Sequence, residues 1–241
     1  MNAPTMRSIA LATLVTLSAC TSLPERPSSP QTTKTISRFG VVSAVATNLN
    51  RQYVGATVFA NERDVRNIEP WAIDQNYEAQ FGAAVETLTG GSFVKASTST
   101  VDFFKASEPN GFWKISSPNW DNIEGLAKAT CQALNVDSLF VVARRRSTDI
   151  FGGTNQVVMG LGIYSRGGKS ILHLLAEVAL FDCKSAKLLK TKDVVLSRPI
   201  AEELARIPTA DWTSEAERLI RGAVVALPGR AWEVALKDLL L

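Results

Sequence analysis

Ser138-Leu139-Phe140-Val141-Val142-Ala143 is a short uncharged run with no polar alternation, too short to be a helix on its own. A run of that kind is a strand covered on both faces. A helical stripe ends just before it: Ile123, Leu126, Ala127, Thr130, Cys131 and Leu134 recur at helical spacing. Ser117-Pro118 suits the start of that helix and Asn135 its close. A helix feeding a two-sided strand through so short a link confines the chain to layered α/β architectures.

The rest of the chain fits that class. Residues 38–46 and 52–60 are β-rich, and the intervening 47–51 has the length of a hairpin loop, so the two runs are expected to pair. Ile73, Tyr77, Phe81, Ala84, Val85 and Leu88 recur with a helical period, with Pro70 at the start and Gly90 as the left-handed stop. A strand is expected from 92 to about 101. Others are expected over 156–164, 171–181 and 187–196, the last two joined by a turn at 182–186. Alternation in 171–181 puts Leu172, Leu174, Ala176, Val178 and Leu180 on one face. Ile171, His173, Leu175, Glu177, Ala179 and Phe181 fall on the other. Residues 211–227 and 230–241 read as helices separated by Pro228-Gly229. The expected fold is α/β, a mixed sheet with helices packed on it, in a single domain over residues 37–241.

Two stretches of that domain carry a resemblance. They are Ala133-Leu134-Asn135-Val136-Asp137-Ser138-Leu139-Phe140-Val141-Val142 and Ala176-Glu177-Val178-Ala179-Leu180-Phe181-Asp182-Cys183-Lys184-Ser185-Ala186-Lys187-Leu188-Leu189. Together they resemble a recurrent envelope domain, that of the curli-secretion lipoprotein, the lipoprotein activators of penicillin-binding proteins and the N-terminal domain of the Tol translocation protein. Those families place a helix before an Ala-Asp-apolar strand, then a hairpin whose turn reads Asp-x-x-Ser/Thr-Gly-Lys. Here Ala186 stands in place of the usual Gly, and Asn135 in place of the helix-ending Gly or Ala. The resemblance covers about half of the domain. It implies an α/β fold that acts by binding, and it brings no catalytic residues.

The N-terminus has a different character. Residues 8–19 form an uncharged, largely apolar run after Arg7, too short for a membrane span of ~20 residues. A basic start and a short apolar core are what an export signal needs, whether translation begins at Met1 or Met6. Leu17-Ser18-Ala19-Cys20 then resembles the lipobox of bacterial lipoproteins, an aliphatic residue and two small ones before the cysteine that is acylated. That resemblance implies cleavage before Cys20 and a membrane anchor through lipid on its sulfur. Thr21 and Ser22 follow where Asp would favour inner-membrane retention, which implies the outer membrane. Residues 1–19 are thus expected to be the signal peptide. Residues 20–36, rich in Pro, Ser and Thr, are expected to be the lipidated cysteine and a flexible linker.

Arg7 is the only charge in the first nineteen residues, and the whole chain carries a formal +3, so the exported part stays near neutral. That balance argues against nucleic acid as a partner. A single histidine, His173, limits histidine-paired catalysis and multi-histidine metal sites alike. Glu177 shares its strand face, but a metal would need a second source of ligands. Gly160-Leu161-Gly162 holds part of a phosphate-binding turn, yet Ile163-Tyr164 continues a strand where a helix should begin. These are expected to be glycines over which something packs closely. No catalytic residue, metal or cofactor is assigned.

Cys131 and Cys183 remain besides Cys20. An oxidising compartment permits them to bond, but a free thiol also suits the apolar stripe that carries Cys131, so the pairing stays open. Arg144-Arg145-Arg146, at the end of the two-sided strand, is the sharpest charge cluster and the candidate binding edge. It could meet anionic glycan, lipid headgroups or an acidic partner, or it could be a solvated strand end. The polar loop 147–155 lies beside it. Trp232, Val234, Ala235, Leu236, Leu239, Leu240 and Leu241 give the last helix an apolar side for the sheet. The expected role is a non-catalytic binding or scaffold component of an envelope assembly, lipid-anchored, facing the periplasm, with an envelope protein as partner. An oligomeric secretion-channel component and a hydrolase with an unrecognised site are the alternatives.

Overall fold

The computed structural model describes residues 36–96, 100–108, 117–152 and 155–240. In chain order they form β1 (Arg38–Ala44), β2 (Asn48–Val54), β3 (Glu62–Asn67), α1 (Ile73–Thr89), β4 (Ser92–Lys95), α2 (Thr100–Ala106) and α3 (Trp120–Leu134). There follow β5 (Ser138–Arg144), β6 (Arg146–Thr148), β7 (Val157–Arg166), β8 (Lys169–Asp182), β9 (Lys187–Pro199), α4 (Glu202–Arg206), α5 (Ser214–Val225) and α6 (Ala231–Leu240).

The 14-residue β8 is the trunk of a nine-stranded mixed sheet. On one edge its first half pairs antiparallel with β7, Gly160 to Arg166 against Leu175 to Lys169. Its second half pairs antiparallel with β5, Ser138 to Arg144 against Asp182 to Ala176. β9 runs antiparallel along the other edge for nearly the whole length. β7 leads on to β2 in parallel and then to β3, while β5 leads in parallel to β1 and then to β4. Two half-sheets therefore share one strand.

β1 and β2 do not form the expected hairpin. These ladders make them run in the same sense, one in each half-sheet, joined by Val45-Ala46-Thr47. Asn48 and Asn50 suggest a loop, but Leu49 between them is fully buried, and the Asn50 amide donates to the carbonyls of Met159 and Leu161. β2 thus starts earlier than its β-rich sequence does, and 58–60 is a short 3-10 turn.

Helices α1, α4, α5 and α6 cover the first face. Tyr77 and Phe81 of α1, Ile220 of α5, and Trp232 and Leu236 of α6 pack with Val41, Phe140, Leu161, Leu174 and Val178. The Trp232 ring stands edge-on to Tyr77 and Phe81 at centroid distances of 5.9 and 5.3 Å, a geometry that adds ring electrostatics to buried area. Ile36 is buried in the same core, one residue ahead of the domain start expected at 37. On the second face, Phe103 and Phe104 of α2 and Ile123, Ala127 and Cys131 of α3 cover Val141, Ala143, Ala179 and Phe181. A smaller cluster of Val54, Val158, Tyr164, Ile171 and Leu175, with Ile150 and Phe151 against it, fills the β2–β7 end.

α1 runs as its period indicates, and Gly90 closes it in the left-handed region at φ 69°. The strand expected over 92–101 ends at Lys95, because Thr100 already begins α2, whose Phe103 and Phe104 are buried. α3 is capped by Asn119, whose side chain accepts from the Asn122 amide, and not by Ser117. Asn135 ends it at φ 50°.

The structure joins Cys131 of α3 to Cys183, just after β8, in a disulfide across 52 residues with Cα atoms 5.3 Å apart. It ties the second-face helix to the trunk. The chain-entropy model gives a loop of that length ~4 kcal/mol. Alkylation of the unreduced, denatured protein is expected to leave both cysteines unlabelled. Cys183→Ser is expected to lower unfolding free energy in urea by about 2–4 kcal/mol. Full labelling, or unchanged stability, would show that the bridge does not form.

Candidate functional site

Cys20 lies outside the described residues. The candidate edge Arg144-Arg145-Arg146 lies within them, and its guanidinium groups are engaged rather than open. Arg144 lies over the Phe104 ring at 3.7 Å and pairs with Glu108. Arg146 also reaches Glu108, at 3.7 Å, and Arg145 pairs with Asp193 of β9. Their side chains are only 11–19% exposed. Burial pushes the Arg144 guanidinium down from its ordinary pKa, while Glu108 opposes the shift. In this arrangement the triple fastens α2 and β9 to the end of β5. In the neighbouring loop, Asp149 accepts from the Phe151 amide and from Arg166, both at 2.9 Å. Residues 153 and 154 of that loop lie outside the described residues.

His173 and Glu177 share the second face of β8, as alternation implies, but no hydrogen bond joins them among the described residues. His173 is buried, with Nδ1 3.1 Å from the Gly160 carbonyl oxygen. Burial pushes its pKa down to about 4, so the ring is neutral at pH 7 and donates from Nδ1 to that carbonyl. Its other edge lies against Gly162: a Cβ there would stand 2.9 Å from Nε2 and 2.4 Å from the Asn50 carbonyl oxygen. The glycine is the space the imidazole occupies. Glu177 is also buried, and its Oε1 accepts from the Trp120 indole at 3.0 Å. That bond fixes the first residue of α3 on the sheet.

The most heavily buried acidic pair falls outside every motif. Asp74 and Glu78, one turn apart on α1, face the end of β1. The Ser43 hydroxyl donates to Asp74 at 2.7 Å, and the Val45 and Ala46 amides donate to the same carboxylate at 3.0 and 3.2 Å. The Ser43 amide donates to Glu78 at 3.0 Å. Burial raises Asp74 to about 6, against the lowering effect of those donors. Burial likewise raises Glu78 to about 7, with the Asp74 charge adding to the rise and the Ser43 amide and Lys95 opposing it. The sequence does hold a signal: Asp74 and Glu78 fall in register with Phe81 and Val85, so two acids interrupt an apolar stripe.

Arg51 is a second buried polar centre. It is 1% exposed, pairs with Glu62 at 2.7 Å and Asp64 at 2.5 Å, and donates to the carbonyls of Ala205 and Arg206. A buried guanidinium needs that full set of acceptors, and here it docks α4 onto β2 and β3. Among the described residues no cluster of three His, Cys, Asp or Glu could hold a metal ion. Nor is any described helix long and apolar enough to cross a membrane, which does not bear on strands.

No family model matches the chain, and no curated protein matches it. Some solved structures are similar to it. A lipoprotein of Neisseria meningitidis is 12% identical, over 78% of this chain and 95% of that one, with a TM-score of 0.34. The dodecamer of a PelC variant from Paraburkholderia phytofirmans is 9% identical, over 86% and 93%, with a TM-score of 0.33. The LpoB C-terminal domain of Salmonella enterica is 9% identical, over 66% and 81%, with a TM-score of 0.24. Likenesses this distant carry no argument about function, which rests on this chain's own residues.

Two substitutions test the buried polar groups. Because Asp74 and Glu78 titrate above their ordinary values, the stability tied to them is complete below about pH 4 and is lost as pH rises through about 6 and 7. His173, lowered to about 4, has the opposite sign, and its contribution is lost on acidification from about 6.5 to 4. Stability measured by urea unfolding should therefore fall between about pH 6 and pH 8, where the loss from the two acids exceeds the smaller gain as the unfolded-state imidazole gives up its proton. Glu78→Gln, which keeps an acceptor for the Ser43 amide, should flatten that fall; an unchanged slope would count against the assignment. Gly162→Ala should cost about 1–3 kcal/mol, because the Asn50 carbonyl cannot retreat from the added methyl.

Proposed function

We propose that this chain is the precursor of an envelope lipoprotein, cut before Cys20 and held to the outer membrane by lipid on that cysteine. Its domain then faces the periplasm and serves as a non-catalytic binding or scaffold component of an envelope assembly, with an envelope protein as partner. The observation that carries the reading is Leu17-Ser18-Ala19-Cys20, directly after an uncharged apolar run and before a Pro-, Ser- and Thr-rich stretch. Two or more acyl chains on one residue anchor stably, so such a domain needs no membrane-binding surface of its own.

The packing of the domain supports the non-catalytic part. His173 is neutral and committed to Gly160, Glu177 takes the Trp120 indole, and Asp74 receives three donors from Ser43 of β1 and from the Val45 and Ala46 amides of the joint. Each of these reactive-looking side chains has work in holding elements together.

The test is cross-linking in intact envelopes, with Cys20→Ser as control. The wild-type chain should fractionate with outer membranes and capture one or two protein partners, and Cys20→Ser should lose both properties. Membrane association that survives Cys20→Ser would remove the anchor from the reading. Capture of self-adducts in a ladder would favour the secretion-channel alternative, and a purified saturable turnover would favour the hydrolase.

A further inference from the structure

We propose that the outer edge of β9, from Lys190 to Arg198, is a strand-addition site that takes an extended acidic segment of a protein partner. The inference rests on the scaffold reading and names the surface and the chemistry of the partner.

β9 is 13 residues long and pairs only with β8 among the described residues, so the donors and acceptors of its outer edge meet no strand there. Strand addition supplies main-chain bonds along such an edge, and side chains on both sides set the specificity. A bulge at the Leu180/Phe181 level interrupts the register near Leu189, and from Lys190 onward the ladder to β8 is regular. That regular part is the docking length.

Its surroundings are apolar and cationic. Leu189 is 51% and Val195 57% exposed, and Val234 of α6 is 63% exposed. Val234 stands one helical turn before Asp238, whose carboxylate pairs with Lys192 of β9, so it flanks the edge. Lys187, Lys190, Lys192 and Arg198 lie on the strand with Asp193 as the single acid, and Asp193 is already paired with Arg145. Lys187 and Arg198 carry no ion pair among the described residues.

Lysines on an edge strand ordinarily discourage pairing between like edges. Here they also choose the occupant. A second copy would set one cationic edge against another. The chain's own N-terminal stretch offers Pro24, Pro27 and Pro30, with Arg26 and Lys34 against Glu25, a poor strand whose charge balance is positive rather than acidic. An acidic segment with alternating apolar residues satisfies both the main-chain edge and the field.

The test uses the full chain in mild detergent. The probe is a labelled, end-capped peptide of about ten residues alternating Glu and Val, the length of the regular edge. Fluorescence anisotropy should show saturable binding that weakens as salt rises. N-methylation of alternate peptide amides should weaken binding by at least about tenfold, as should K190E/R198E in a protein whose thermal midpoint is unchanged. A Lys–Val peptide should not bind. No binding of the Glu–Val peptide, or equal binding after N-methylation, would overturn strand addition, and that arm does not depend on any variant folding. A dimer in sedimentation equilibrium that the peptide fails to dissociate would assign the edge to a second copy and overturn the proposal. If K190E/R198E still cross-links to the same envelope partner as the wild type, the edge assignment fails while the scaffold reading stands. If the wild type captures no partner but binds the peptide, the scaffold reading fails instead.

Discussion

The passage of the chain from one half-sheet to the other depends on the carboxylates of Asp74 and Glu78. β4 accompanies β1 only as far as Val41, so the amides of Ser43, Val45 and Ala46 reach a buried region where, among the described residues, no strand receives them. An unpaired buried amide costs about 1–3 kcal/mol, and three of them between Ser43 and Ala46 would destabilise the joint. Helix α1 brings two acids to that place, and they act as a substitute strand edge. The raised values of both acids show that desolvation outweighs the donors they receive. Burial of carboxylates is tolerated because the alternative is a broken connection between β1 and β2.

Once that joint is set, β8 can serve both half-sheets. Twelve consecutive residues from Ser170 to Phe181 are buried, so both faces of the trunk lie under side chains. Polar groups on such a strand must find partners locally. His173 takes a carbonyl on β7, the adjacent Gly162 leaves room for its ring, and Glu177 takes an indole from α3. The ion pairs of Arg144 and Arg145 likewise tie the end of β5 to Glu108, just past α2, and to β9. His173, Glu177, Arg144 and Arg145 thus all join one layer or strand to another.

Elements with strong local signals were legible in the sequence. The stripes of α1 and α3, the two-sided run of β5, the alternation of β8 and the strands expected at β7 and β9 all lie close to where the sequence places them. The expected β1–β2 hairpin fails because strand order is non-local: consecutive segments lie in different half-sheets, and the joint between them is held by Asp74 and Glu78. β3, with the sequence Glu-Arg-Asp-Val-Arg-Asn, has no apolar alternation, since Arg51 and its acids hold it in place. α2 was hidden by a Thr-rich approach that favours β structure. Among the site residues, the face shared by His173 and Glu177 and the close packing over Gly162 followed from strand geometry. Their partners did not, because those come from other strands and from α3. The ion pairing of the arginine triple was equally out of reach, since Glu108 and Asp193 lie tens of residues away on either side.

The sheet ends in edges of unequal openness. β4 has four residues, too few to template a partner, and β3 has charged side chains, two of which are committed to Arg51. β9 is different because β8 must be long enough to span both half-sheets, and a hairpin partner of matching length follows from that. A long edge strand is an aggregation hazard unless it is charged, and a charge of one sign blocks its own kind while remaining complementary to the other. The same feature that joins the two half-sheets therefore creates an edge whose lysines and arginine exclude self-pairing without closing it to an acidic strand.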